Sequence, residues 1–300
     1  MSEDESLPAG LRPTRGELGV LADFASFRDR VVRAWELFDQ TLATVALDGP
    51  TRSRGNRARD LLIPLGAWPD ARGIRQMIDD ARAGVMTTET ESQSASRLRA
   101  AHEDATDAQV LGEFRRSAEH IATWVSAAAA TDEARLVAPS PLGPVPIGTM
   151  VHAAAFQLAV TARDLRPAGA ADEPELDALG VVGLVDSSGA VAARLDATAS
   201  IAAVTPEVAA GTGALPGRWR TRVSPDDHEL LGPAVLASAG LLVDTAAGRI
   251  DLVGMARGLR VRDGRGLVGM SIVLDGIPDL PAAGMLRRAG SLVRLGRLGR

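Results

Sequence analysis

Between residues 22 and 46, apolar side chains recur at three- and four-residue steps: Phe24, Phe27, Val31, Trp35, Phe38, Leu42 and Val45. That spacing places them on one face of an α-helix. A stripe this wide is stable only when other elements cover it, so the N-terminal part of the chain is constrained to packed helices. Residues 107–130 fit the same period, with Phe114, Ile121, Trp124 and Val125 on one side, and 147–166 read as a further buried helix. Ahead of them, 71–84 and 92–103 are weaker, arginine-rich helical stretches. The Thr/Glu/Ser text that splits them reads as a loop across the mouth of a bundle.

One segment breaks the pattern. From Arg57 to Trp68 the apolar spacing is that of a buried helix face, yet Pro64 stands inside it. Proline removes a backbone donor and clashes with the carbonyl four residues back, at a cost of about 3 kcal/mol in a helix interior. A second segment, from Phe156 to Leu165, bears on the reason.

Gly55, Arg59, Asp60, Leu61, Leu62, Leu65 and Trp68 fit the pattern G-W-x-V-R-D-L-L-x-H-L-x-x-W, with Asn56 at its tryptophan. Asp164 and Leu165 fit the end of E-x-x-x-H-x-x-D-L. On these residues the stretch 20–168, about half of the chain, resembles the mycothiol-dependent maleylpyruvate isomerase-like proteins of the DinB helix-bundle superfamily. The resemblance implies an α-helical, up-and-down four-helix bundle with an insertion, and mycothiol as a possible cofactor. It also implies one divalent metal, usually zinc, held by the histidine of the first motif and the glutamate and histidine of the second. At those positions this chain has Pro64, Gln157 and Thr161.

A catalytic zinc takes three protein ligands of the His/His/Glu kind and keeps a fourth position open. Glutamate at i and histidine at i+4 share a helix face, so the second motif supplies two ligands and the facing helix the third. Gln157 offers only a neutral amide oxygen, Thr161 a hydroxyl, and Pro64 no side-chain donor. The expectation is a bundle without zinc in which these three positions remain as ligand-binding positions. The chain's four histidines do not replace the lost ligands. His152 is turned away from both Gln157 and Thr161 at roughly 100° per residue. His120 is expected near the bundle interior as the partner of a carboxylate, with metal ligation as the alternative. His102 and His228 sit in charged, turn-rich text and read as solvated.

The stretch 167–174, with two prolines, one glycine and two acidic residues, is a break in composition and marks a boundary. The organisation expected is a flexible tail over 1–16, the bundle over 17–168, and a small α+β domain over 175–300. In the latter, 175–195 read as helix, 198–205 and 217–223 as strands, and 233–245 as a helical run. Residues 256–265 read as a short strand before the apolar stretch 267–274. This order, with its G-x-L-x-V-x-D-like text, is similar to sterol-carrier-protein-2-like folds.

The net charge of −5 argues against a nucleic-acid surface spread over the molecule. With no cysteine, the chain has no disulfide, thiolate ligand or cysteine nucleophile, so any thiol must come from a cofactor. Every basic side chain apart from histidine is arginine, a bias that suits a high-GC, actinobacterial coding genome and hence mycothiol. The acidic start and the lack of a long uncharged apolar run lead to the expectation of a cytoplasmic protein. Arg218, Arg220 and Arg222 alternate on the second strand and share a face that could grip an acidic group or thiol cofactor. A solvated sheet face accounts for them as well. Gly211-Thr212-Gly213 lacks the context of a dinucleotide fingerprint. The cluster Asp226 to Glu229 reads as a helix cap or exposed turn. Residues 282–300 hold five arginines and no acid, which suits a docked terminal helix better than a membrane-surface contact.

Three functions are compatible with this reading. The first is a maleylpyruvate isomerase-like protein without the metal site, binding a small apolar or thiol-conjugated ligand with altered or no catalysis. The second is a mycothiol-dependent isomerase or transferase working without metal. The third is a lipid-binding or membrane-surface protein. Catalytic residues are not assigned by any of them.

Overall fold

A computed structural model describes residues 24–85, 89–138, 145–194, 199–204, 218–223, 234–250, 252–258 and 260–262. The predicted tail at 1–16, the apolar stretch 267–274, the arginine-rich end 282–300, Gly211 to Gly213 and the Asp226 to Glu229 cluster lie outside them.

The N-terminal stripe folds as α1 (Phe24–Leu42), which buries Phe27, Val31, Trp35, Phe38 and Leu42. It packs on α5 (Asp107–Val125), α7 (Ile147–Asp164) and α8 (Pro174–Arg194). Aromatic contacts fix the α1–α5 seam: Trp35 stacks on Phe114 at 5.5 Å and Phe38 meets the same ring edge-on at 5.2 Å. Offset and edge-to-face geometry of this kind adds about 0.5–1.5 kcal/mol per pair beyond area burial. Thr106 starts α5 by accepting from the Gln109 amide while the Gln109 side chain accepts from the Thr106 N–H, a capping box.

Pro64 does not sit inside a helix. The helix α2 (Ala58–Leu62) stops two residues before it, and Pro64 falls in a 3₁₀ turn, Ile63–Leu65. The expectation of a helix running on to Trp68 is therefore corrected, for the reason proline itself supplies: it has no N–H to continue the ladder. Trp68 closes the turn instead, its indole donating to the Ile63 carbonyl at 2.7 Å. The weaker stretches fold as α3 (Ile74–Ala83) and α4 (Glu91–Ala101), and α6 (Ala130–Glu133) leads to a two-stranded antiparallel ribbon of β1 (Val137–Ala138) and β2 (Val145–Pro146).

Beyond α7 the chain forms α8, then a four-stranded sheet of order β4-β3-β5-β6 with two short helices. β3 (Ala199–Val204) pairs antiparallel with β4 (Arg218–Val223) and parallel with β5 (Ala234–Leu236), which pairs antiparallel with β6 (Arg260–Arg262). The helical run expected at 233–245 divides: its start is β5, and only Ala239–Ala246 is helix, α9, capped by Ser238. A short apolar run such as Ala234-Val235-Leu236 carries no period that separates strand from helix, and its two strand partners decide. The strand expected from 256 is likewise displaced by α10 (Leu252–Gly258), with β6 beginning at Arg260. The chain is thus a mainly helical body with a small α+β part, and α8 packs against α1 and α7 as well as against β3, β4 and α9.

Candidate functional site

A cavity of about 180 Å³ opens where α2, α4 and α7 meet. Its α7 wall is Gln157, Val160, Thr161 and Asp164, the i, i+3, i+4, i+7 face of one helix. Leu61, Pro64 and Leu65 come from α2 and its 3₁₀ turn, and Ser53 from the loop before it. A third wall is the face of α4 that carries Ser94, Ala95, Leu98 and Arg99. Arg249, from the turn after α9, completes the lining. Pro64, Gln157 and Thr161 therefore line one cavity although more than ninety residues separate the first from the others.

The polar groups of the wall are held in place. Asp164 is 2 % exposed and takes the Arg249 guanidinium on both oxygens, with Nε donating at 3.0 Å to Oδ1. Arg99 Nε donates to the Asp60 carbonyl at 2.8 Å. Neither Arg99 nor Arg249 stood out in the sequence. Asp164 was visible only as part of a motif, although its place seven residues after Gln157 puts it on the same helix face. The Arg249 contact spans 85 residues and leaves no local signal.

The cavity lining contains two carboxylates, Glu91 and Asp164, and no imidazole. That set does not fit the three-ligand His/Glu arrangement of a catalytic zinc. Among the described residues, no group of three or more His, Cys, Asp or Glu side chains is placed to hold a metal ion. His152 is fully buried and points elsewhere, its Nδ1 lying 2.9 Å from Asp186 Oδ2. Burial pushes its imidazole pKa down, against the pull of Asp186. His120 is exposed on α5, which corrects the expectation of an interior position. His102 is not simply solvated: its ring stacks on Trp68 at 3.9 Å, and Nε2 lies 2.7 Å from Asp70 Oδ1. His228 lies outside the described residues. Arg218, Arg220 and Arg222 occupy alternate positions of β4, in register with Val204, Ala202 and Ser200 of β3.

Behind Asp164 a charged junction ties α9 to the helical body. Arg163 donates to Asp177 Oδ2 on α8 and to Asp244 Oδ2 on α9, both at 2.7 Å, and Arg52 donates to Asp244 Oδ1 at 2.8 Å. Gly240 makes room for this, since a Cβ there would fall 2.2 Å from Arg163 Nη1. Burial pushes the Asp177 carboxyl up to about 6, opposed by Arg163 and reinforced by repulsion from Asp244. Asp244, with two guanidiniums, is held below its ordinary value despite its burial. A raised carboxyl pKa gives stability that is full below the unfolded value of 3.8 and is lost as pH rises through 6. Asp177→Asn keeps an acceptor for Arg163 without the charge. Its denaturation midpoint is expected to be no lower than that of the native chain at pH 7.5, and the native gain on acidification to pH 5 to shrink. A native-like rise in the variant over that range would show that Asp177 is not the titrating group.

No helix among the described residues is long and apolar enough to cross a membrane. No family model matches this sequence, and no curated protein matches it. Two crystal structures of the mycothiol-dependent maleylpyruvate isomerase, one of them of a mutant, are similar to this chain at 14% identity. Each alignment covers 81% of this chain and 93% of that one, with TM-scores of 0.49 and 0.47. Similarity of that grade assigns neither a family nor an activity.

Proposed function

We propose that this chain is a maleylpyruvate isomerase-like protein that binds a small, partly apolar or thiol-conjugated molecule in the cavity without a divalent metal. Its isomerase chemistry is lost or altered. The observation that carries this reading is the meeting of Pro64, Gln157 and Thr161 on one cavity. These are the positions at which the resembled family holds its metal, and here they supply a ring without a donor, a neutral amide and a hydroxyl. The mixed lining supports a ligand with an apolar body and a polar end: Leu61, Leu65, Leu98 and Val160 stand beside Arg99, Gln157, Thr161 and Arg249. A volume of about 180 Å³ suits a small ligand or one end of a larger one. The same reading takes the helical body, 17–168, as a DinB-like four-helix bundle and 175–300 as a sterol-carrier-protein-2-like domain. It takes the protein as cytoplasmic and leaves Arg218, Arg220 and Arg222 as an anion- or thiol-binding set on β4. The joint packing of α1 with α5 and α7 supports the bundle.

Elemental analysis of protein purified from zinc-supplemented cells is expected to give well under one equivalent of zinc. Calorimetric titration with mycothiol is expected to show binding that Gln157→Ala or Thr161→Val weakens about tenfold, the effect of one lost buried hydrogen bond. Maleylpyruvate with added mycothiol is expected not to turn over. One equivalent of zinc, or isomerisation at enzymatic rates, would overturn the proposal.

A further inference from the structure

The α4 wall of the cavity is attached differently from the α7 wall. It turns a whole face inward, with Glu91, Ser94, Ala95, Leu98 and Arg99 at helical spacing. Yet among the described residues Leu98 is the single buried residue of its eleven, whereas α7 buries eleven of eighteen. The element α4 chiefly packs on is the short 3₁₀ turn that holds Pro64. The helical state of α4 is local, started by the Thr90–Gln93 capping box and built mostly of good helix formers, so it does not depend on deep burial. Ser96 spends its hydroxyl on the Ser92 carbonyl of its own helix, at 2.8 Å.

What joins α4 to the body is concentrated at its C-terminal end. Arg97 Nη1 donates to Asp70 Oδ2 at 3.0 Å, and His102 Nε2 meets Asp70 Oδ1 at 2.7 Å. The His102 ring lies flat on Trp68, 3.9 Å away and tilted by 15°. Arg97 and Asp70 are each about 40% exposed, and such pairs are individually weak. Apart from the part-buried bond from Arg99 to the Asp60 carbonyl and the stack of His102 on Trp68, the ties of α4 are exposed. A segment with one buried side chain and few buried ties belongs to the low-stability end of a fold, the end from which local opening draws.

We propose that α4 is the gate of the cavity, opening as a unit while α1, α5 and α7 stay folded, and that Trp68, Asp70, Arg97 and His102 form its latch. The role of gate rests on the cavity being a binding site, but opening can be measured without any ligand. An α4 that opens in a chain with no affinity for mycothiol overturns the binding reading alone. An α4 that stays shut in a chain that binds overturns the gate alone.

Amide exchange on the native chain is expected to be at least about tenfold faster in α4 than at the slowest amides of α7. His102→Ala is expected to speed α4 exchange roughly threefold to tenfold and leave α7 unchanged. Because the chain has no cysteine, Leu98→Cys introduces a single thiol in the cavity wall, and Leu158→Cys, fully buried on α7, a reference. A chromogenic aryl disulfide is expected to label position 98 well ahead of position 158, and faster still with His102→Ala. Amide exchange, read on the native chain and on His102→Ala, serves if the Leu98 variant does not fold. Equal labelling at 98 and 158, α4 exchange no faster than that of α7, or an equal acceleration of both helices by His102→Ala would overturn the proposal.

Discussion

Replacing Arg163 with alanine is expected to cost about 3–5 kcal/mol of stability, the range for removing one partner of a buried charge pair. Arg163 is 12% exposed at its side chain and bridges Asp177 and Asp244 across two helices. Without it, Asp244 keeps Arg52, while Asp177 on α8 faces Asp244 with only the more distant, unbonded charge of Arg166 to compensate it. The loss should be read from denaturant midpoints and from amide exchange in α9, which this residue ties to α7 through Asp244. Pairing Arg163→Ala with Asp177→Ala should recover part of the loss, because the second change removes the stranded carboxylate; strictly additive penalties would show that the two side chains do not interact.

The pH dependence of that variant follows from the signs already present at the junction. In the native chain the Asp177 contribution fades as pH rises through about 6, and that of Asp244 fades as pH falls below its unfolded value of 3.8. Loss of Arg163 removes the largest of the interactions that oppose burial at Asp177, leaving Arg166, so its carboxyl moves further up. The alanine variant should accordingly be less impaired at pH 5 than at pH 7.5. A penalty independent of pH across that interval would mean that packing of the arginine stem, not charge, sets the cost.

Helix existence was legible in this sequence wherever the apolar period was long. The stripe from Phe24 to Leu42 is α1, and Phe114 and Trp124 mark the buried face of α5. Legibility failed where partners rather than local pattern decide. Ala234-Val235-Leu236 is a strand because β3 and β6 flank it, and His102 is half-buried because it stacks on Trp68 and meets Asp70. At the cavity, the Gln157 and Thr161 pair is a local spacing on one helix and could be read directly. Its approach to Pro64 was reached through motif resemblance, and Arg249 through neither, since its tie to Asp164 is tertiary. The proline that violates a helix in the sequence is at ease in the structure, because the helix ends at Leu62 and leaves Pro64 to line the cavity.

The same substitution, glycine to alanine, is expected to act with opposite sign on two helices. Gly183 on α8 lies against α7 so closely that a Cβ would fall 2.4 Å from the His152 carbonyl oxygen. One turn away, a Cβ on Gly180 would fall 2.6 Å from that of Ala159. The atom met at Gly183 is backbone, so no rotamer relieves the contact, and the two helices must separate along a seam that also carries the His152 to Asp186 contact. Overpacking of this kind costs about 1–3 kcal/mol and outweighs the gain of up to about 1 kcal/mol from alanine's better helix propensity. On α5, Gly112 has nothing within 4 Å of the added carbon, so there the propensity term stands alone. Gly112→Ala should therefore raise stability by about 0.5–1 kcal/mol, while Gly183→Ala lowers it and weakens amide protection in both α7 and α8. Equal and stabilising effects at the two sites would mean that α7 and α8 are not packed at this distance, and that the buried His152 to Asp186 contact on the same seam is not formed as described.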